Sequence, residues 1–214
     1  MNIAIILAAG NSNRFSGKKP KQFEFLNKKM IIEYSVNTFM NHPEIDEVII
    51  VIKDRYLSEI NKTIKGCKII QGGKKRQDSS LLGLMACPIN TKNVLIHDAA
   101  RPFVSNKIIR NCLVELKNSV AVCPGIPITD TVAIVNSKNN VSKIPNRDVI
   151  YCLQTPQAFN YKTILDCHKK LKTDVTDDIS VLKEFNYNCK VIEGSKKNIK
   201  ITFKDDLKKI EHLI

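Results

Sequence analysis

Apolar residues in the first part of the chain form five short runs, separated by longer stretches in which they recur every three or four positions. The short runs are rich in Ile and Val and too brief for buried helices, which predicts strands. The predicted strands are residues 3–7, 48–52, 67–70, 93–96 and 119–122. The longer stretches predict helices at residues 29–40, 56–64, 76–86 and 106–116. This alternation indicates an α/β protein, with a mainly parallel, twisted sheet that carries helices on both faces.

The pattern changes after residue 128. Residues 129–135 alternate in polarity, residues 136–140 are a strong turn signal, and residues 141–151 are extended again, which predicts a long β-hairpin arm at about 129–151. An isolated hairpin is marginal in water, so the arm packs either on a partner subunit, giving a homodimer, or on its own domain. Further helices are predicted at 161–171, 178–185 and 205–213, and short strands at 190–193 and 198–201. No linker divides the chain, so residues 1–214 are predicted to form a single domain.

The loop after the first predicted strand combines small residues with cations. Its small residues are Ala8, Ala9 and Gly10, and its cations are Arg14, Lys18, Lys19 and Lys21. Small side chains let a ligand lie directly against backbone amides. Long loops without regular structure inside a domain are usually functional. The loop therefore predicts a polyphosphate site at the carboxyl end of the first strand.

Charge alone suggests a nucleic-acid partner, because the formal net charge is +13. The type of cation argues otherwise, since lysines dominate and only six residues are arginine. Four of those arginines lie at loops or strand ends, where a guanidinium can bind phosphate in a forked geometry: Arg14, Arg76, Arg101 and Arg147. Aromatic residues for base stacking are few, at 6% with no Trp. We therefore expect no nucleic-acid partner, and an RNA-binding protein is the distant alternative.

The cysteines and the apolar runs indicate where the protein works. Seven cysteines are scattered without a C-x-x-C pair, which favours small buried thiols in a reducing compartment over disulfides or zinc. No apolar run is long enough to span a bilayer, and the N-terminus lacks a signal-peptide pattern. We expect a cytoplasmic protein that does not contact a membrane.

Two further segments follow predicted strands and should lie near the first loop. Gly73 and Ser79 belong to a glycine turn that opens a helix, where free amides could hold an anion; an ordinary strand-to-helix turn is the simpler interpretation. Asp98 ends a strand, where a carboxylate could bind Mg²⁺ together with substrate phosphates. An ion pair with Arg101 is the alternative role for Asp98. His97 is interpreted as a packed strand-end histidine.

No Ser/His/Asp arrangement, H-E-x-x-H helix or G-x-x-x-x-G-K-[ST] loop is visible in the sequence. A site with many cations and no nucleophile suits phosphoryl or nucleotidyl transfer, in which the protein mainly positions groups and neutralises charge.

Taken together, these motifs resemble the sugar-phosphate nucleotidylyltransferases, and in order and spacing the 2-C-methyl-D-erythritol 4-phosphate cytidylyltransferase family. The residues that carry the resemblance are Leu7-Ala8-Ala9-Gly10 with Arg14 and Pro20-Lys21-Gln22, Gly72-Gly73 with Arg76 and Asp78-Ser79, His97 to Pro102, Asp130-Thr131, Arg147, Thr155-Pro156-Gln157 and Asn198-Ile199-Lys200. It implies a Rossmann-like nucleotidyltransferase fold with an extended β-hairpin arm. It also implies an enzyme that joins CTP and the polyol phosphate and releases pyrophosphate.

The resemblance also implies roles for particular residues. Its catalytic residues would be Arg14, Lys21 and Lys200. The cytidine pocket would comprise Ala8, Ala9, Gly10, Gly73 and Ser79. The polyol phosphate would be surrounded by Asp98, Arg101, Thr131, Arg147 and Thr155, with Mg²⁺ bridging phosphates and Asp98 as its candidate protein ligand. In the family the arm crosses to the neighbouring subunit, so Thr131 and Arg147 would complete the site of the other protomer in a homodimer.

The chain departs from the family pattern in a few positions. Ser12 stands where a second glycine is usual, Ser80 where Val is common, and Tyr151 where Trp is frequent. Tyr151 with Arg147-Asp148 is similar to the ribitol-5-phosphate cytidylyltransferases of teichoic-acid synthesis, which share the fold. The ribitol-phosphate reaction is therefore the near alternative for the acceptor.

Overall fold

The computed structural model describes residues 1–15, 17 and 19–210. The strands are β1 (Asn2–Leu7), β2 (Phe25–Leu26), β3 (Lys29–Met30), β4 (Glu47–Ile52), β5 (Lys68–Gln71), β6 (Asn93–Asp98), β7 (Ala121–Pro127), β8 (Ile134–Val135), β9 (Val141–Lys143), β10 (Tyr151–Leu153), β11 (Gln157–Asn160) and β12 (Cys189–Glu193). The helices are α1 (Ile31–Met40), α2 (Leu57–Thr63), α3 (Arg76–Met85), α4 (Asn106–Glu115), α5 (Tyr161–Lys170), α6 (Asp178–Glu184) and α7 (Asp205–Ile210).

Eight of the strands form one central sheet. Its order is β10-β7-β11-β6-β1-β4-β5, and β12 also pairs with β7. Strand β1 runs parallel to β4 and β6, β4 runs parallel to β5, and β12 runs parallel to β7. Within the described part of this sheet, the antiparallel pairings are those of β10 with β7 and of β11 with β6 and β7. The predicted mainly parallel sheet is confirmed.

Alternate residues of the central strands enter two separate cores. In β1, Ala4 and Ile6 pack on one side with residues of α1, α2 and α4. Ile3 and Ile5 pack on the other side with residues of α3, α5 and α6. All four are fully buried, which explains why the strand is a continuous apolar run rather than an alternating one. Helices therefore cover both faces, as the pattern predicts.

Several predicted elements differ from the structure. Residues 198–201 form no strand, and β11 enters the sheet at residues 157–160, where no strand was predicted. The predicted first helix begins at Ile31, because residues 29–30 pair with β2 instead. The last helix runs from Asp205 to Ile210, and its predicted end at 211–213 lies outside the described residues.

The arm is less regular than a continuous hairpin. Only β8 and β9 pair within it, residues 147–149 form a single 3-10 turn, and β10 returns to the central sheet beside β7. Five large apolar side chains of the arm are more than half exposed: Ile134, Val135, Val141, Ile144 and Val149. Within the chain itself, the arm therefore has no core.

Candidate active site

A cavity of about 380 Å³ opens beyond the carboxyl ends of β1 and β6. The last residues of these two strands, Leu7 and Asp98, are register partners, so the loops that follow them face each other. Nine predicted site residues line it: Ala8, Ala9, Gly10, Arg14, Lys21, Gly73, Ser79, Asp98 and Lys200. The cavity therefore lies at the edge of the sheet where the parallel-sheet rule places ligand sites.

The first loop is closed by one buried side chain, that of Gln22. Its Nε2 donates to the carbonyl oxygens of Ala8 at 2.6 Å and Gly10 at 3.1 Å. The amide of Ala8 donates to the carbonyl of Val51 at 2.8 Å, which continues the strand pairing into the loop. The chain at Ala8–Gly10 is consequently held in place although it forms no regular structure.

The second glycine turn lies directly against the first loop. A Cβ atom at Gly72 would come within 2.6 Å of the Ala9 Cβ, so only glycine permits this approach. The next amide, that of Gly73, donates to the Ser79 hydroxyl at 3.1 Å. The hydroxyl donates in turn to the carbonyl of Lys75 at 3.2 Å. Ser79 therefore fixes the turn that forms one wall of the cavity.

Three of the cations that border the cavity, Arg14, Lys21 and Lys200, affect one another. Lys21 is partly buried, and its pKa falls to about 8 because of that burial and of repulsion from Lys200 and Arg14, with Asp98 acting in the opposite direction. Burial makes an ammonium costly to charge, and nearby like charges add to the cost. The site accordingly has more positive charge than its own carboxylate offsets.

Asp98 is shared by two cations. Its Oδ1 lies 3.4 Å from Arg76 Nη2, and its Oδ2 lies 2.7 Å from Lys200 Nζ. Burial opposes ionisation of Asp98, but Arg76 and Lys200 outweigh it and hold the pKa of this carboxyl well below its usual range. Asp98 is therefore an anion throughout the physiological pH range. The ion pair with Arg101, the alternative role for Asp98, is not formed, and Arg76 and Lys200 pair with this carboxylate instead.

A buried network continues from Arg76 away from the cavity. Arg76 Nη1 lies 2.7 Å from Asp178 Oδ2, and Asp178 Oδ1 lies 3.1 Å from His168 Nε2. Burial opposes the charge of Arg76, but Asp178 and Asp98 raise the pKa of the guanidinium above its ordinary value. Two carboxylates thus offset the charge of Arg76, which the sequence had marked as a candidate phosphate contact.

Arg101 and Thr155 are buried behind the cavity rather than in its wall. Arg101 Nη1 donates to the carbonyl of Asn198 at 2.7 Å, and Asn198 Nδ2 donates to the carbonyl of Thr155 at 2.8 Å. The amide of Ile201 donates to the carbonyl of Ala100 at 2.9 Å. These contacts fix the irregular segment that carries Lys200, which explains how a residue outside any strand reaches Asp98.

His97 is a packed strand-end histidine, and its hydrogen-bond partners determine which ring nitrogen carries the proton. Its Nε2 lies 3.0 Å from the carbonyl of Arg101, which can only accept, so Nε2 carries the proton. Its Nδ1 then accepts from the Thr155 hydroxyl at 3.0 Å. The same hydroxyl accepts from the Asp98 amide at 3.1 Å. Burial lowers the pKa of His97 to about 4, so the imidazole is neutral and supports the strand end that presents Asp98.

Thr131 and Arg147 lie on the arm, and the structure does not bring them into the cavity of their own chain. Both are exposed. Arg147 Nη1 donates to the carbonyl of Thr129 at 3.2 Å, which joins the two sides of the arm. Within one chain, the residues predicted to surround the polyol phosphate are therefore divided between the region of the cavity and the arm.

Sequence reasoning missed two supporting residues, Gln22 and Asp178. Gln22 directly follows Lys21 in the chain, so its position offered a signal. Asp178 offered none, because it is separated from Arg76 by 102 positions.

Donors for a metal ion are few. Asp98 is the sole carboxylate among the described residues that line the cavity. Across residues 1–15, 17 and 19–210, no three His, Cys, Asp or Glu side chains are grouped so that they could hold a metal ion. This donor set fits a hard cation that takes most of its ligands from substrate phosphates, as Mg²⁺ does. It does not fit a metal held by protein side chains alone.

A mainly parallel α/β sheet with a cationic cavity beyond its strand ends defines a nucleotide-binding protein of the Rossmann-like class. Comparisons with known proteins give the family. The model of the 2-C-methyl-D-erythritol 4-phosphate cytidylyltransferase family (IspD) matches residues 2–214. The protein of that name from Clostridium botulinum (strain Loch Maree / Type A3) is 42% identical over 215 residues, 96% of this chain and 94% of that protein.

Solved structures agree with the sequence match. The 4-diphosphocytidyl-2C-methyl-D-erythritol synthase from Anaerococcus prevotii DSM 20548 superposes with a TM-score of 0.88 at 29% identity, covering 100% of this chain and 95% of that one. The 2-C-methyl-D-erythritol 4-phosphate cytidylyltransferase from Francisella tularensis gives 0.85 at 31% identity, covering 100% and 99%.

The chain belongs to the 2-C-methyl-D-erythritol 4-phosphate cytidylyltransferase family. The resemblance seen in the motifs is confirmed, and so is the Rossmann-like fold class. Because the match is to the methylerythritol branch of a transferase class, it lends no support to the ribitol-phosphate reaction or to an RNA-binding protein. No helix in the described part of the chain is both long and apolar enough to cross a membrane.

Proposed function

We propose that this chain joins CTP and 2-C-methyl-D-erythritol 4-phosphate, giving 4-diphosphocytidyl-2-C-methyl-D-erythritol and pyrophosphate in isoprenoid precursor synthesis. Family membership supports the reaction. The observation that carries the assignment to this cavity is its charge: Arg14, Lys21 and Lys200 border a space with one carboxylate among its described residues. The pKa of Lys21 is lowered first by burial and then by repulsion from Lys200 and Arg14, and a polyphosphate would offset that repulsion.

In the proposed reaction a phosphate oxygen of the polyol phosphate attacks the α-phosphorus of CTP. A new P–O bond forms, the bond to the β-phosphate oxygen breaks, and pyrophosphate leaves with the electron pair. Both reactants are anions, so their repulsion must be offset before they meet. Arg14 and Lys21 would bind the triphosphate and stabilise the charge that develops at the α-phosphorus. Lys200, whose ammonium is paired with Asp98, would add a further positive charge to the same cavity.

The nucleoside would lie against the first loop and the second glycine turn. Ala8, Ala9 and Gly10 present backbone with almost no side chain, and the contact between Gly72 and Ala9 keeps the two loops close together. Gly73 and Ser79 would form the other side of the pocket. Backbone groups and one hydroxyl at fixed positions can match the edge of cytosine, and a site with matched donors and acceptors rejects the wrong base strongly.

We propose Mg²⁺ as the metal, bound mainly by the phosphates of CTP, with Asp98 as the available protein carboxylate. When bound, the ion would neutralise phosphate charge and orient the triphosphate. The chain itself would contribute the surrounding cations, of which Lys21 and Arg14 would bind the same phosphates.

The acceptor site is proposed to need two subunits. Asp98 faces the cavity, whereas Arg101 and Thr155 are buried behind it and would act by placing Lys200 and Asp98. Thr131 and Arg147 are on the arm, so we propose that they reach the polyol phosphate bound to a partner subunit. The exposed apolar side chains of the arm support a homodimer, because a face of this kind is stabilised by burial against another surface.

We also propose that the protein works in the cytoplasm. The seven cysteines, all within the described residues, are free thiols. Burial raises the pKa of Cys67 to about 11 and that of Cys87 to about 12. Unreactive thiols of this kind suit a reducing compartment.

The activity is tested by pyrophosphate release with CTP, Mg²⁺ and either 2-C-methyl-D-erythritol 4-phosphate or ribitol 5-phosphate. Turnover with the first acceptor alone is expected, and turnover with ribitol 5-phosphate alone would overturn the assignment. Lys21→Met should lower kcat by at least about 100-fold, as removal of other charge-stabilising donors does.

The shared site is tested by mixing two inactive variants, Lys21→Met and Arg147→Ala. In a mixed dimer, one site combines the native Lys21 of one protomer with the native Arg147 of its partner. Activity should therefore return after subunit exchange. If Arg147 served the site of its own chain, each mixed dimer would contain two defective sites and no activity would return.

A further inference from the structure

Ser12 has a backbone conformation that serine rarely adopts. Its φ is +58°, which lies in the left-handed region favoured by glycine. The residue lines the cavity and lies between the nucleotide-facing turn and Lys21 in the chain. A serine at such a position indicates that its hydroxyl has contacts which a glycine could not make.

The hydroxyl of Ser12 joins the two ends of the first loop, and the direction of each hydrogen bond is determined. Gln22 Nε2 donates to the carbonyls of Ala8 and Gly10, so its Oε1 faces the other way. That oxygen can only accept, and Ser12 Oγ donates to it at 3.2 Å. A lone pair of the same Oγ accepts from the backbone amide of Lys21 at 3.1 Å.

These bonds connect the nucleotide-facing turn to the cation that meets the phosphates. Lys21 follows Ser12 by nine positions, so chain continuity alone does not determine where its backbone lies. The hydroxyl adds a direct tie, because it holds the Lys21 amide at Ser12, two residues after Gly10. It also holds the Gln22 side chain that bonds the carbonyls of Ala8 and Gly10. The ring of Phe15 is buried, and the Phe15 amide donates to the Ser12 carbonyl at 2.8 Å.

We infer that Ser12 is a positioning residue for Lys21: its hydroxyl sets the distance between the Lys21 backbone and the Ala8–Gly10 turn, and so places the ammonium relative to the bound triphosphate. The inference rests on the role given to Lys21 in the proposed function. Misplacement of a catalytic group by about 1 Å can cost roughly 100-fold in rate, so the loss of one hydroxyl should be visible in kcat.

Two substitutions separate positioning from stability. Ser12→Gly relieves the strained backbone and removes the hydroxyl, so its melting temperature should be no lower than that of the native protein, while kcat falls about tenfold or more. The KM for CTP should change less than about threefold. Ser12→Thr keeps the hydroxyl but places a β-branched residue at positive φ. It should melt at a lower temperature than Ser12→Gly and yet retain a higher kcat.

If Ser12 had a purely structural role, kcat and melting temperature would fall together in each variant. The inference is overturned if Ser12→Gly keeps kcat within twofold of the native value, or if the two variants rank the same way in stability and in rate. Lys21→Met separates this result from the proposed function. If Lys21→Met is inactive and Ser12→Gly is fully active, only the inference about Ser12 fails. If Lys21→Met keeps its kcat, the proposed role of Lys21 fails as well.

Discussion

The ammonium of Lys200 lies 2.7 Å from the Oδ2 atom of Asp98. Asp98 ends a central strand, whereas Lys200 belongs to an irregular segment near the end of the chain. Their contact brings the last part of the sequence onto the sheet edge where the first loop lies. It also leaves Asp98 between two cations, since Arg76 pairs with its other oxygen.

Asp98→Asn should destabilise the protein by about 3 kcal/mol, as measured by urea unfolding. Removal of one partner from a buried ion pair typically costs about 3–5 kcal/mol, because the other charge is left uncompensated. The lower end applies here, since the side chain of Lys200 is 40% exposed and can turn to water. Arg76 would still be paired with Asp178.

The matched control for this change is Asp174→Asn. Asp174 pairs with Lys75 at 2.6 Å, but both side chains are more than half exposed. Exposed ion pairs contribute little to stability, so this variant should unfold close to the native midpoint. Equal destabilisation by both substitutions would contradict the importance assigned to the Asp98 pairs.

The kcat/KM for CTP should fall as the pH rises through about 8. In the proposed function the free enzyme binds the triphosphate with a charged Lys21. Burial and repulsion from Lys200 lower the pKa of that ammonium to about 8. A pH profile of kcat/KM reports groups of the free enzyme. Lys21→Arg should abolish the inflection near pH 8, because a guanidinium stays charged throughout this range. Lys19→Arg alters an exposed lysine that pairs with Glu59 and should leave the inflection in place.

Lys21→Met should stabilise the folded protein below pH 8. A lysine whose pKa is lowered on folding is costly to keep charged, and that cost is fully present below the folded value of about 8. It disappears as the pH rises from about 8 towards 10.5, the ordinary value for lysine. The gain in unfolding free energy should therefore shrink over this interval. A gain that stays constant from pH 7 to pH 10.5 would contradict the lowered pKa.

His97 should remain neutral until the pH approaches 4, as followed by the NMR shifts of its ring. Burial lowers its pKa from 6.5 to about 4. The unfolded chain therefore binds more protons between these values, so stability is present above pH 6.5 and is lost as the pH falls to 4. The loss from this group is about 3 kcal/mol. His97→Gln should lack this part of the acid sensitivity, and a ring that titrates near pH 6.5 would contradict it.

Ile144→Lys should convert the proposed dimer into a monomer, as measured by sedimentation velocity. Ile144 is 62% exposed on the arm, where a lysine would place a charge in the subunit interface. Ile89→Lys is the matched control, because Ile89 is also an exposed isoleucine but lies outside the arm. It should remain a dimer. A native protein that sediments as a monomer would exclude the shared site.

The sequence predicted much of the site because strand ends and loops are encoded locally. Continuous Ile and Val runs predict buried strands, and the carboxyl ends of parallel strands share one edge of a sheet. That rule alone places Ala8, Gly73 and Asp98 together. The rule did not predict β11, which is short and follows a proline. The place of β11 in the sheet depends on its pairing with β6 and β7.

By itself, then, the sequence determined the fold class, the glycine-containing loops and the acidic residue at the strand end. Each of these depends on neighbouring residues and on the spacing of apolar positions along the chain. Tertiary structure alone decided which charges meet. Arg76 pairs with Asp178 across 102 positions. Arg101 is buried behind the cavity, and Lys200 pairs with Asp98, for which Arg101 was the alternative partner. The physical reason is that ion pairing depends on distance and burial, and both are fixed only when distant segments pack together.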